Sequence, residues 1–185
     1  MCCKNSLEQK LQKIKLLALD VDGVLTDGSI NIGNEGELFK AFNAKDGLGI
    51  SASLRHGLQI AVITGRKSEI IHKRAGELGI TLLCEGVKDK YAELMRLQQM
   101  LKLTKTETAY IGDDLNDLPA FLAAGVAFTP NDGCDDVKDE ATVILQHDGG
   151  HGAVREAVEM IFKAQNKWVQ IVAGYKQIKS LGDAQ

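Results

Sequence analysis

Six short apolar runs punctuate the chain, and between them apolar positions recur at helical spacing. Residues 14–21 form a near-continuous apolar run, the pattern of a central strand covered on both faces of a parallel sheet. Residues 59–64, 80–84, 108–112, 126–128 and 142–145 repeat that pattern at shorter length. Residues 68–78 put Ile70, Ile71, Arg74, Ala75 and Leu78 on one helical face, with Ser68 as N-cap and Gly79 as the stop. Leu94, Leu97 and Leu101 share a face within 89–103, as do Val154, Ala157, Val158, Ile161 and Phe162 within 152–167. Strands alternating with helices predict an α/β fold with a doubly wound parallel sheet. Its functional site is expected at the C-terminal ends of the strands.

One segment breaks the rhythm. Over residues 28–42, Ile30 and Ile32 alternate, Gly33-Asn34-Glu35-Gly36 supplies turn chemistry, and an apolar pattern resumes at Leu38. A β-hairpin protruding after the first strand is the expectation. Residues 1–13 read as a polar N-terminal segment, 14–172 as a single domain, and 173–185 as a mobile tail of weak periodicity.

Composition narrows the function. The 185 residues are 44% hydrophobic and 25% charged, ordinary for a globular domain. With 22 basic against 25 acidic residues, the net charge of −3 offers no footprint for nucleic acid or an anionic membrane. An anionic substrate would have to be met locally, by a metal and a few Lys or Arg side chains. No apolar run approaches the roughly 20 residues of a membrane span, and the polar start is unlike a signal peptide. Cys2, Cys3, Cys84 and Cys134 form no C-x-x-C pair, so reduced thiols and a cytoplasmic location are expected.

Candidate chemistry sits at the predicted strand ends. Asp20 and Asp22 follow the first run and, two residues apart on a strand, face one spot. Converging carboxylates repel unless a cation or a shared proton joins them. The pair suits metal-assisted chemistry with one acid as nucleophile and the other as proton shuttle; a surface turn or a calcium loop would also use it. Thr64-Gly65-Arg66 after the second long run offers a hydroxyl and backbone N–H groups to a phosphate, unless Thr64 only caps the next helix. Lys88 or Lys90 could set a point charge on a phosphoryl oxygen, and chemistry alone does not choose between them. Gly112-Asp113-Asp114-Leu115-Asn116-Asp117 crowds three carboxylates at a further strand end. That favours a hard cation, or a helix start capped by Asp114 or Asp117.

In this order the four motifs resemble those of the haloacid dehalogenase superfamily of phosphohydrolases, at Asp20-Val21-Asp22-Gly23, Thr64, Lys90 and Gly112-Asp113-x-x-x-Asp117. Residues 14–165 further resemble the 3-deoxy-D-manno-octulosonate 8-phosphate (KDO 8-phosphate) phosphatases. The residues that carry this are Asp20-Val-Asp-Gly-Val-Leu-Thr-Asp-Gly28, Lys40-Ala-Phe-Asn-Ala-Lys-Asp-Gly47, Ile63-Thr-Gly-Arg66 and Gly149-Gly-His-Gly-Ala-Val-Arg-Glu156. The resemblance implies a Rossmann-like, capless fold and a Mg2+-dependent phosphomonoesterase of lipopolysaccharide precursor synthesis. It implies Asp20 as nucleophile, Asp22 as general acid and base, and Thr64 and Lys90 as phosphoryl-oxygen ligands. Mg2+ would be held by Asp20, Asp113 and the backbone carbonyl of Asp22, with Asp114 and Asp117 behind them. A sugar pocket would draw on Asn43, Lys45, Asp46, Gly47, Ser51, Arg66, Arg74 and Asn116, with Arg66 and Arg74 on one helix facing a sugar carboxylate. It also implies a homotetramer in which the hairpin joins a barrel and neighbouring subunits close the site. Tyr175, Lys176 and Lys179 are expected to reach a neighbour as a lid. A phosphatase for a nine-carbon acid sugar phosphate, or a non-catalytic oligomerisation module of the same fold, is the alternative.

Overall fold

The computed structural model describes residues 2–176. Its centre is β1 (Leu16–Leu19), four apolar residues with no exposed surface, flanked by β4 (Gln59–Ile63) and β6 (Thr108–Ile111). β5 (Leu82–Cys84) extends the sheet beyond β4, and β7 (Val126–Thr129) and β8 (Val143–Ile144) extend it beyond β6. All six strands run parallel in the order β5-β4-β1-β6-β7-β8. The chain winds outward one way from β1 and then returns to start the other half at β6. That reversal of direction beside β1 is where a doubly wound sheet opens a crevice at its strand C-termini.

Side chains alternate into two cores. On one face Leu17, Leu19, Ile60, Val62, Ile111 and Phe128 meet α2 (Ala44–Arg55), α3 (Glu69–Leu78) and α7 (Ala153–Ala164). On the other, Leu16, Ala18, Ile63 and Tyr110 meet Leu94 and Leu97 of α4 (Lys90–Leu101), Phe121 of α5 (Leu118–Ala123) and Val137 of α6 (Asp135–Glu140). The doubly wound α/β reading therefore holds, and Ser68 and Gly79 bound α3 as expected from sequence.

Three elements depart from that reading. The polar N-terminal segment carries a helix, α1 (Cys2–Leu11), whose Leu11 joins the first core. Residues 44–55, where the pattern predicted no element, form α2, although two glycines and two serines lower its intrinsic propensity. Those small residues let it lie close on α7: a Cβ on Gly49 would meet the Arg155 side chain at 3.1 Å. The expected tail is helical up to Lys176 in α8 (Trp168–Lys176). The rest of it, with Lys179, lies outside the described residues.

Asp46 joins the two helices. Gly152 at the start of α7 has no side chain to cap it, and Asp46 of α2 does so instead, accepting from Gly152 N–H at 3.1 Å and Arg155 N–H at 2.7 Å. The residue is 1% exposed, and burial lifts its carboxyl pKa against the pull of those N–H donors. Both oxygens are occupied within the fold, which corrects the expectation that Asp46 meets a sugar. Asp46→Ala should lower unfolding stability by about 2 kcal/mol, as loss of a buried cap does. Urea titration followed by circular dichroism would check it.

The hairpin stands apart as a second, two-stranded sheet of β2 (Asn31–Gly33) and β3 (Gly36–Phe39). Ile32, Leu38 and Phe39 are 68%, 63% and 55% exposed. An isolated two-stranded sheet is marginal in water, and this one keeps an apolar surface outside both cores.

Candidate active site

Asp20, Thr64 and Asp113 leave the C-terminal ends of β1, β4 and β6, which are adjacent in the sheet, so three separate motifs meet at one edge. After β1 the chain turns sharply: Val21 C=O accepts from the N–H groups of Val24, Leu25 and Thr26 at 3.3, 2.9 and 3.1 Å. The turn needs glycine at position 23. Its φ is +83°, and a Cβ there would lie 2.0 Å from Asp113 Oδ2. Gly23 thus lets the carboxylate from β6 lean over the loop from β1.

Oxygens of Asp20, Asp113 and Asp117 lie within 4.8 Å of one another. Lys90, at the N-terminus of α4, donates to Asp20 Oδ2 at 2.8 Å and Asp117 Oδ1 at 2.6 Å, with its side chain 3% exposed. Lys88 is exposed, so the structure separates the two lysines that sequence chemistry left equal. Asp117 is fully enclosed and saturated. Tyr110 Oη donates to its Oδ1 at 2.7 Å, and Asp113 N–H and Asp114 N–H reach its Oδ2 at 3.0 and 3.4 Å. It therefore orients Lys90 and the Asp113 loop rather than offering a free ligand oxygen. Asp113 Oδ1, by contrast, is buried without any partner.

That orphaned oxygen, beside two more carboxylates, is the signature of a missing positive charge. Burial, then Asp117, push Asp20 up to about 6 against the opposing pull of Lys90. Burial, then Asp117, Asp20 and Asp114, push Asp113 up to about 8. Burial pulls the Lys90 ammonium down, but Asp20 and Asp117 outweigh it and hold it above its ordinary value. The all-oxygen donor set fits a hard divalent cation. The carboxylate of Asp22 stands outside this cluster, so any ligation by Asp22 falls to its backbone carbonyl.

Above the cluster lies a cleft of about 300 Å3 lined by Asp20, Asp22, Gly28, Ile30, Thr64, Gly65, Arg66, Asp113, Asp114 and Asn116. Thr64 is 3% exposed and its Oγ1 accepts from Arg66 N–H at 3.3 Å. Ser68, not Thr64, caps α3, which leaves Thr64 on the cleft wall. Arg66 precedes α3 and sets its Nε 3.5 Å from Asp22 Oδ2. A larger groove, about 780 Å3, lies at the opposite edge of the sheet, where Glu107 is the only carboxylate among its lining residues.

The expected sugar pocket is only partly assembled here. Arg66 and Asn116 line the cleft; Asn43, Lys45, Gly47, Ser51 and Arg74 do not. Asn43 caps α2, accepting from Lys45 N–H at 2.8 Å. Gly47 makes room for Arg74, whose guanidinium would lie 2.4 Å from a Cβ there and sits 5.5 Å from the Phe42 ring centroid. Arg66 and Arg74 therefore do not share a helix: Ser68 opens α3 two residues after Arg66, and the two guanidinium groups meet different partners. Tyr175 folds back on its own chain beneath Arg55, 5.4 Å from its ring centroid.

Two residues with no expected role enter the site. Tyr110 supports Asp117 from inside the sheet. Lys40, 1% exposed in its side chain, pairs with Asp22 Oδ1 and, at 3.1 Å, with Glu37. A lysine set between Phe39 and Phe42 was the available signal.

Residues 83–157 match the family model of haloacid dehalogenase-like hydrolases. The 3-deoxy-D-manno-octulosonate 8-phosphate phosphatase KdsC of Haemophilus influenzae is 41% identical over 179 residues, 95% of this chain and 99% of that one. KdsC of Escherichia coli K12 is 40% identical over 158 residues, 85% of this chain and 84% of that one. Among solved structures, the cobalt-bound Haemophilus influenzae phosphatase superposes with a TM-score of 0.87 at 41% identity, covering 91% of this chain and all of that one. The Moraxella catarrhalis phosphatase, in complex with magnesium ion, phosphate ion and KDO, does so at 0.89 with 43% identity, covering 92% and 98%. The architecture and the carboxylate–lysine cluster are those of a phosphoric monoester hydrolase of the haloacid dehalogenase type. Within that class the chain belongs to the KDO 8-phosphate phosphatase family.

The sign of the pH dependence follows. Asp20 and Asp113 hold protons more tightly folded than unfolded, so their stabilisation is present at low pH. It is lost as pH rises from the ordinary carboxylate range through about 6 and about 8. A bound cation reverses this by stabilising the ionised carboxylates. The gap in melting temperature between Mg2+-loaded and chelator-treated protein should therefore widen from pH 6 to pH 8. Calorimetry in buffers of different ionisation enthalpy should show proton release on Mg2+ binding at the lower pH.

Proposed function

We propose that this chain hydrolyses KDO 8-phosphate to KDO and inorganic phosphate, in the cytoplasm, as a step of lipopolysaccharide precursor synthesis. The observation that carries it is the cleft floor: Asp20, held by Lys90 and clustered with Asp113, one of whose oxygens has no partner, in a chain 43% identical to a phosphatase solved with Mg2+, phosphate and KDO. Mg2+ held by Asp20, Asp113 and the Asp22 carbonyl would neutralise the carboxylates and polarise the phosphoryl group.

Asp20 attacks phosphorus in line, forming an acyl phosphate on Asp20 as the bond from phosphorus to the sugar oxygen breaks. Asp22 gives its proton to the departing oxygen. Water then attacks phosphorus, passes a proton to Asp22, and the Asp20–phosphorus bond breaks to release phosphate. Lys90 and the Thr64 hydroxyl face the phosphoryl oxygens and stabilise the charge they gather, while Asp117 and Asp114 keep Lys90 and the Asp113 loop in place.

A cleft of about 300 Å3 lies at the lower bound of small-molecule sites. It holds a phosphate and little of an eight-carbon sugar, and among the described residues nothing covers it. The exposed Ile32, Leu38 and Phe39 of the hairpin support a homotetramer whose neighbouring subunits complete the pocket. Asn43, Lys45, Gly47, Ser51 and Arg74 would act there across a subunit boundary. Leu38→Asp combined with Phe39→Asp should shift the mass seen by light scattering from tetramer to monomer. It should raise KM at least about tenfold, as loss of a subsite does.

Phosphate release from a panel of sugar phosphates with Mg2+ tests the substrate. KDO 8-phosphate should be preferred, with turnover reduced by at least about 10^4-fold in Asp20→Asn. Preference for a nine-carbon acid sugar phosphate would move the pathway and keep the chemistry. Absence of Asp20-dependent turnover on every substrate would favour a non-catalytic module.

A further inference from the structure

The two oxygens of Asp22 have different surroundings. Lys40 Nζ donates to Oδ1, whereas Oδ2 accepts no hydrogen bond among the described residues and has Arg66 Nε 3.5 Å away. The Lys40 side chain is 1% exposed and that of Arg66 57%. A buried ammonium with two carboxylate partners keeps one place, while an exposed guanidinium samples many. Lys40 is not among the residues lining the substrate cleft, whereas Asp22 is.

What holds Lys40 is itself anchored. Glu37 of β3 takes the ammonium on Oε1 at 3.1 Å and accepts from the Ser68 hydroxyl on Oε2. Ser68 is the N-cap of α3, where its Oγ also accepts from Ile71 N–H at 3.3 Å. Both Glu37 and Lys40 belong to the returning arm of the hairpin. A chain of contacts thus runs from the end of a packed helix, through the base of the hairpin, to one oxygen of Asp22.

Given the general-acid role proposed above for Asp22, we propose that Lys40, fixed by Glu37, is the positioning residue that turns Asp22 Oδ2 toward the leaving oxygen. The hairpin then does more than present an apolar surface, because its base also sets the geometry of proton transfer. The consequence is selective. A sugar alkoxide is a poor leaving group and needs the proton as the bond to phosphorus breaks; a nitrophenolate leaves without one.

The test is single-turnover cleavage with enzyme in excess and Mg2+ present, which separates the first bond-breaking step from hydrolysis of the Asp20 acyl phosphate. KDO 8-phosphate and 4-nitrophenyl phosphate are compared in wild type, Asp22→Asn, Lys40→Met, Lys40→Arg and Glu37→Gln. Asp22→Asn should slow the sugar phosphate at least about 100-fold and the aryl phosphate less than about tenfold. Lys40→Met should slow the sugar phosphate about 10- to 100-fold, as a small misplacement of a catalytic group does, and the aryl phosphate less than about threefold. Lys40→Arg should recover most of the loss. Glu37→Gln should show the same selectivity at smaller size, and carries the test if Lys40→Met does not fold. Equal slowing of both substrates by Lys40→Met or Glu37→Gln, or no slowing of the sugar phosphate, would overturn the proposal while leaving Asp22 as the acid. Asp22→Asn slowing both substrates alike would overturn the general-acid role and the Lys40 proposal with it.

Discussion

One buried ammonium makes the working edge of this sheet possible. Lys90 stands between Asp20 and Asp117 at 2.8 and 2.6 Å, where three carboxylates gather within 4.8 Å. In a partly desolvated setting, like charges at that spacing repel strongly. Lys90 offsets only part of the repulsion: Asp20 and Asp113 both remain above the ordinary carboxylate range. Asp117 absorbs the lysine, Tyr110 and two backbone N–H groups, so the uncompensated charge is concentrated on the pair that faces the cleft. Three carboxylates against one ammonium leave the site two positive charges short when all are ionised, a deficit that a divalent cation matches.

The rest of the fold serves that edge. Parallel strands with apolar residues on both faces bring three strand ends side by side without exposing backbone, and Gly23 lets the loop from β1 pass beneath Asp113. The same economy leaves the cleft small and open. The hairpin bears on this in two ways: its strands expose Ile32, Leu38 and Phe39, the surface assigned above to the proposed tetramer, and its base fastens Lys40 to Asp22. A substrate pocket shared between subunits, with catalytic geometry tied to the element that joins them, is the arrangement these features support.

Most of the fold, and the gathering of Asp20, Thr64 and Asp113 at adjacent strand ends, was legible in the sequence, because both rest on local rules. Continuous apolar runs report buried parallel strands, and acidic residues just after them report a site at the strand ends. What escaped depends on contacts between distant segments. Helix α2 has poor intrinsic propensity and exists because its small residues fit against α7, which no local pattern announces. Asp46, placed in a sugar pocket only by the resemblance, caps α7 more than a hundred positions away. Arg66 and Arg74, eight positions apart, seem paired until Ser68 starts the helix between them. Lys40 reads as one lysine among many until its burial gives it two acidic partners.

The central claim, that Asp20 becomes phosphorylated during turnover, can be read directly. Protein quenched with borohydride while turning over KDO 8-phosphate in the presence of Mg2+ would be digested and its peptides sequenced by mass spectrometry. An acyl phosphate at Asp20 is reduced to homoserine, so homoserine at position 20, dependent on both substrate and Mg2+, is the predicted result. Undiminished turnover with residue 20 recovered only as aspartate, or with the reduced residue elsewhere, would contradict the account.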